Sequence, residues 1–100
     1  METIIYHITT KKEWDTAVAQ GFYEAASVAI ESFMHCSTDK QVDGVLQRYF
    51  AGKTDLVKLT IDVSKVQARL QYDFSPSVNE MFPHIYGRLN LDAVIATSII

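Results

Sequence analysis

Three histidines are the residues with most chemical potential, and each has a hydroxyl-bearing residue two positions further on: His7 with Thr9, His35 with Ser37, and His84 with Tyr86. An imidazole titrates near neutral pH and offers both a donor and an acceptor, which suits ligand binding or general acid and base work. In an extended chain, residues two apart share a face, so each pair would present its ring and its hydroxyl together. If those faces converge, a polar pocket of imidazoles and hydroxyls results. The plain alternative is that each histidine is hydrogen-bonded, partly buried and serves only to pin a loop.

Three imidazoles and a water would also make an open zinc site, which raises a metal-dependent hydrolase as one alternative. The chain has neither a His-Glu-x-x-His helix nor a Cys-x-x-Cys pair, and alternation turns Cys36 away from the face of His35. No metal is expected on these grounds. Cys36 reads as a small buried hydrophobe with no base assigned to it. Ser37 precedes Thr38 where a helix should open. Free amides and the positive end of the helix dipole would attract phosphate or carboxylate there, although plain capping explains the same residues. Asp73 and Glu80 flank a proline-containing loop and Glu31 precedes the His35 strand. All three are candidate site carboxylates, with a solvated surface position as the bland account of each. Gly87 would admit the close approach of a ligand or another backbone segment, or mark a bulge.

The elements that must position these residues follow from periodicity. Thr3 to Ile8 alternates as a first strand, and Thr10-Lys-Lys-Glu13 is a capping box. It opens a helix with Trp14, Ala17 and Val18 on one stripe and Gly21 at its end. Phe22 to Ile30 is ambiguous between helix and strand. Ser32 to Cys36 reads as a strand. A second box, Thr38-Asp-Lys-Gln41, starts a helix whose stripe of Val42, Val45, Leu46, Tyr49 and Phe50 reads as core. Leu56 to Asp62 alternates as a strand with one wet face, followed by a turn at 62–65 and a short strand over Arg69 to Asp73. Ser75 to Asn79 is loop chemistry, Phe82-Pro-His is forced extended, and strands are expected at Ile85 to Gly87 and Ala93 to Ile99. Two main helices and about six short strands predict an α+β fold with a curved mixed or antiparallel sheet and helices packed on it. No repeat or linker divides the sequence, so residues 1–100 are expected to form one domain.

Composition narrows the field. With 48% hydrophobic and 21% charged residues, 4 glycines and 2 prolines, a disordered tail, collagen and a disulfide-stapled miniprotein are excluded. Such a chain should have a radius of gyration of about 13 Å. Nine Lys and Arg against twelve Asp and Glu give a net charge of −3, and only Lys11 and Lys12 adjoin. No basic patch favours nucleic acid as a partner. One cysteine cannot form an internal disulfide. An acid at position 2 and short apolar runs do not suit a signal peptide or a membrane span. A cytoplasmic protein with no membrane partner is expected, as a monomer or weak homodimer.

Three segments carry a resemblance: Ile-Tyr-His-Ile-Thr at the start, Ser-Phe-Met-His-Cys-Ser-Thr in the middle and Phe-Pro-His-Ile-Tyr-Gly-Arg-Leu late in the chain. Together they resemble the signatures of a small bacterial family, domain of unknown function nine-five-two, in the family's order and over nearly the whole length. The resemblance implies an ADP-ribosyltransferase-like fold, a split and curved sheet with a cleft that takes NAD or an ADP-ribose compound as ligand. It also implies that a His-x-Thr element, here His7-Ile8-Thr9, contacts the ribose side, and that Asp73 stands where relatives tend to carry an acid. The late glutamate of that superfamily's transferases has no clean match. Ser32 stands where relatives usually place glycine before the Phe-x-His-Cys-Ser segment.

The leading expectation is a cleft that binds a nucleotide-like or other anionic small molecule. His35 and His84 would act as acid or base, Asp73 would stabilise positive charge, and Tyr6, His7, Thr9, Ser37 and Tyr86 would bind the ligand. Any catalysis would be group transfer or hydrolysis at a glycosidic or phosphate centre. The alternative from another class is a non-catalytic interaction or dimerisation module, with the chain end Ala93 to Ile100 as an edge strand seeking a partner.

Overall fold

In the computed structural model, which describes residues 2–100, β1 (Ile4–Thr10) runs directly into α1 (Lys11–Gln20). The junction is the expected capping box. The Thr10 hydroxyl accepts from the Glu13 amide, and the Glu13 carboxylate accepts from the Thr10 amide. Gly21, at φ 94°, ends the helix in the left-handed conformation that a side chain would oppose.

The ambiguous segment resolves into β2 (Phe22–Tyr23) and α2 (Ala26–Glu31). The strand expected over Ser32 to Cys36 shrinks to β3 (Met34–His35), because Ser32 is taken up as the left-handed cap of α2 at φ 81°. A 3-10 turn over Asp39–Gln41 leads into α3 (Val42–Tyr49). The second half is β4 (Leu56–Asp62), β5 (Arg69–Ser75), β6 (Glu80–Tyr86), β7 (Leu89–Asn90) and β8 (Val94–Ile99).

The strands form three antiparallel sheets in the orders β1-β4-β8, β2-β7 and β3-β6-β5. The α+β class expected from the sequence is observed, with a third helix and more strands than expected. Ile5 faces Ile61 and His7 faces Leu59 across β1 and β4. Ile5, Met34, Leu59, Ile61, Ile85 and Leu89 are completely buried at the centre of the core. A smaller cluster of Ile8, Val42 and Leu56 gathers Tyr6, Leu46 and Phe50 around it. The radius of gyration is 12.6 Å. Among the described residues no helix is long and apolar enough to cross a membrane.

β6 begins five residues before the Ile85 start that the sequence suggests and carries Pro83 in its interior. The Pro83 carbonyl accepts from the Cys36 amide at 3.0 Å, on the β3 side. A strand residue points its N–H and C=O the same way, so the missing proline N–H falls just past the end of two-residue β3. The long ladder between β6 and β5 loses nothing.

Candidate functional site

His7 from β1, His35 from β3 and His84 from β6 line one hollow of about 490 Å³, together with Ser37. His35 and His84 are direct cross-strand partners, their ring centroids 5.1 Å apart at 77°. The main chain of Tyr6 and Ser37 exchanges two hydrogen bonds of 2.8 Å, which ties β1 to the segment after β3 and brings His7 under His35.

His7 has no free nitrogen. Its Nδ1 donates to the His35 carbonyl at 2.5 Å and its Nε2 meets the Tyr23 hydroxyl at 2.8 Å. Since a carbonyl can only accept, Nδ1 carries the proton and the neutral ring accepts at Nε2. Burial pushes the His7 imidazole down to about 4. Tyr23 in turn lies 3.0 Å from the Thr9 hydroxyl, which donates to Glu13 at 3.0 Å. Thr9 thus lies behind His7 and not on the hollow's surface.

His84 is held differently. Its Nδ1 donates to Asp73 Oδ2 at 2.7 Å, and that carboxylate also accepts from Tyr86 Oη at 2.5 Å and Gln71 Nε2 at 2.6 Å. Gln71 pairs with His84 across β5 and β6, so Asp73, two residues on, shares its face. The bonds from Tyr86, Gln71 and His84 hold the Asp73 carboxyl at about 2, while donation to Asp73 holds the Tyr86 phenol up. Burial lowers the His84 imidazole more than Asp73 raises it. At neutral pH the pair is therefore a neutral imidazole on a carboxylate, a strong hydrogen bond rather than a salt bridge. Among the described residues His84 Nε2 and Ser37 Oγ have no protein partner and are not sealed in, so both are free to meet a ligand.

His35 is exposed, with Nε2 2.9 Å from Oε2 of Glu31, the last residue of α2. Phe33 stacks on His84 and meets His35 edge-on, with centroids at 4.1 and 5.1 Å. Phe33 and Glu31 complete the imidazole cluster. Tyr23, which fixes His7, lay in the stretch whose type periodicity left open.

Apart from Ser75, the rest of the hollow is largely apolar, walled by Ile8, Val45, Tyr49, Phe50, Phe74 and Phe82. The α3 stripe expected to be core is thus only partly so. Val42 is buried, whereas Val45, Tyr49 and Phe50 form a wall of the hollow. Tyr6 is turned to the other face of β1, against the Ile8 cluster with Lys58 over its ring. Glu80 bonds Gln41 and stands apart from the histidines. The anion seat near Ser37 is largely spent: the Ser37 amide donates to Tyr6 O and the Thr38 amide to the Gln41 side chain. Among the described residues no three His, Cys, Asp or Glu side chains are grouped to hold a metal, and the two bonds to His7 keep its nitrogens out of any such set. Burial pushes the Cys36 thiol up, which removes it as a nucleophile.

Residues 8–97 match the family described as protein of unknown function (DUF952). The chain belongs to this family. DUF952 likeness extends to solved structures of protein CC0527 from Caulobacter crescentus. Its crystal structure is 31% identical with a TM-score of 0.87, over 96% of this chain and 84% of that one. The solution structure of the same protein, also 31% identical, has a TM-score of 0.81 over 97% of this chain and 84% of that one. Among curated proteins nothing matches.

Proposed function

We propose that this DUF952 chain is a cytoplasmic small-molecule-binding domain, in whose hollow the His84 imidazole exchanges a proton with the ligand while the Ser37 hydroxyl hydrogen-bonds it. One observation carries this: His84 Nδ1 is fixed on Asp73 at 2.7 Å while Nε2 stays open beside the hollow. A carboxylate that holds Nδ1–H leaves the lone pair on Nε2, the tautomer a general base needs. His35, exposed and edge-on to His84, is the second acid or base of a group transfer or hydrolysis at a glycosidic or phosphate centre.

The wall of Val45, Phe50, Phe74 and Phe82 suits a ligand with an apolar body and a single polar head. The ADP-ribosyltransferase-like architecture and the NAD or ADP-ribose ligand implied by the sequence resemblance are the competing form of this proposal. Titration of the protein with NAD, ADP-ribose and benzoate, followed by amide and histidine chemical shifts, tests both. Shifts confined to residues around His35, Ser37 and His84 are expected, and an unresponsive site at millimolar ligand would sink the proposal.

A second reading is an interaction or dimerisation module. It is favoured by β8, which lies at the edge of its sheet with Ile95, Ile99 and Ile100 exposed. Concentration-dependent sizing chromatography, repeated on Ile99→Lys, decides it: a dimer that the variant abolishes is the expected signature.

A further inference from the structure

Among the described residues no lysine or arginine lines the hollow, so their side chains offer no permanent positive charge to a ligand there. A chain of side chains behind His7 can supply one. His7 Nε2 is 2.8 Å from Tyr23 Oη, Tyr23 Oη is 3.0 Å from Thr9 Oγ1, and Thr9 Oγ1 is 3.0 Å from Glu13 Oε1. The far end, Glu13, lies at the exposed start of α1, whereas Tyr23 and Thr9 are buried.

Proton counting gives this chain a property that none of its members has alone. Three gaps separate four groups, and the two hydroxyls bring one proton each. His7 Nδ1–H is committed to the His35 carbonyl and cannot help. With His7 neutral and Glu13 ionised, one gap must lack a proton. Either two oxygens face each other unbridged at 3.0 Å, or Tyr23 turns from His7 and leaves Nε2 unpaired. One added proton fills all three gaps, in either of two ways. Both hydroxyls point towards Glu13 with the charge on an imidazolium, or both point towards His7 with Glu13 as a carboxylic acid. The two forms interconvert when three protons each move along one hydrogen bond, with no atom gained or lost.

We propose that the hollow binds a monoanionic organic acid together with one proton, which enters from solvent at Glu13 and comes to rest on His7 as the ligand's counter-charge. The proposal rests on the small-molecule reading above and names its ligand class, an acid with an apolar body. The titratable groups around His7 are Glu13 of α1, Tyr23 of β2 and His35 of β3, with Cys36 and His84 lining the same hollow. Of these, only Tyr23 and, through Thr9, Glu13 are linked to Nε2.

Calorimetric titration of the full chain with benzoate at mildly acidic pH, in two buffers of different ionisation enthalpy, counts the protons taken up. Close to one per benzoate is expected, and none for the neutral probe benzyl alcohol. Thr9→Val cuts the chain: uptake should vanish and benzoate affinity fall about tenfold, while benzyl alcohol binding is unchanged and Thr9→Ser restores both. Uptake that persists in a folded Thr9→Val would place the proton on His84 or His35 and overturn the proposal, as would benzoate binding without uptake. Benzyl alcohol binding without benzoate binding overturns the proposal and leaves the small-molecule reading standing. If neither probe binds, and NAD and ADP-ribose do not bind either, the small-molecule reading fails, and the histidine nitrogen shifts of the free protein still decide the relay. His7 should titrate lower in Thr9→Val than in the natural chain, and an unchanged midpoint refutes it. Tyr23→Phe severs the same chain should Thr9→Val not fold.

Discussion

The Phe33 ring lies flat on the His84 imidazole, with centroids 4.1 Å apart and planes 14° from parallel. Asp73 takes one edge of that imidazole and Phe33 one face, so the ring keeps a single orientation and a single open nitrogen. Aromatic contact of this kind excludes water and disfavours the charged ring, opposing the neighbouring carboxylate.

Removing the stack should therefore raise the basicity of His84. In Phe33→Ala the imidazole regains hydration while keeping its bond to Asp73, and its titration midpoint is expected to move upward. A pH series of histidine carbon–proton spectra reads this directly. A downward or absent shift would show that burial by Phe33 is not what holds the ring neutral.

Asp73→Asn tests the tautomer. The amide can turn its carbonyl towards Nδ1–H and keep the Tyr86 bond on that same oxygen, but it loses the charge that favours this arrangement and the bond from Gln71 to the other oxygen. His84 is expected to titrate lower than in the natural chain and to show the second tautomer in nitrogen spectra. Retention of one tautomer would locate the orienting force elsewhere.

Acid should weaken the fold through His7. Its ordinary value near 6.5 falls to about 4 on burial, so between these limits the unfolded chain binds the additional proton and stability drops as pH falls. Above 6.5 the contribution is complete, and by about pH 4 on the order of 3 kcal/mol has been lost. Denaturant melts across this window should show the slope, and His7→Gln should flatten it.

Ser32 adopts φ 81° at the end of α2, a region that favours glycine. Ser32→Gly is expected to stabilise the fold by about 0.5–1 kcal/mol, the relief of strain being offset in part by a more flexible unfolded chain. A rise in Tm of a few degrees is the measurement, and a fall would mean that the serine side chain makes a compensating contact.

How legible the protein was in its sequence varies by element. The box at Thr10 and Glu13 and the strict alternation of Leu56 to Asp62 are local signals, and both elements appear where periodicity puts them. β6 was obscured because Pro83 argues against a strand interior, and only the shortness of its neighbour β3 removes the objection. Period-two spacing put Phe33 with His35 and His84 with Tyr86 on shared faces, and both pairs meet in the folded chain, the second through Asp73. Alternation puts Tyr6 on the opposite face of β1 from His7, and its ring does turn away from the hollow, so its expected place among the ligand-binding residues does not hold. The α3 stripe was apolar at helical spacing whether it met core or cavity, so only tertiary packing could say that Tyr49 and Phe50 wall the hollow.

Residues 35–37 are stitched on both sides: His35 pairs with His84 and the Cys36 amide reaches Pro83, while Ser37 exchanges two bonds with Tyr6. The floor of the hollow is thereby a seam that cannot part without unzipping two sheets at once. A ligand of the kind proposed would therefore have to enter over the rim, between α3 and Phe74 to Pro76 at the end of β5.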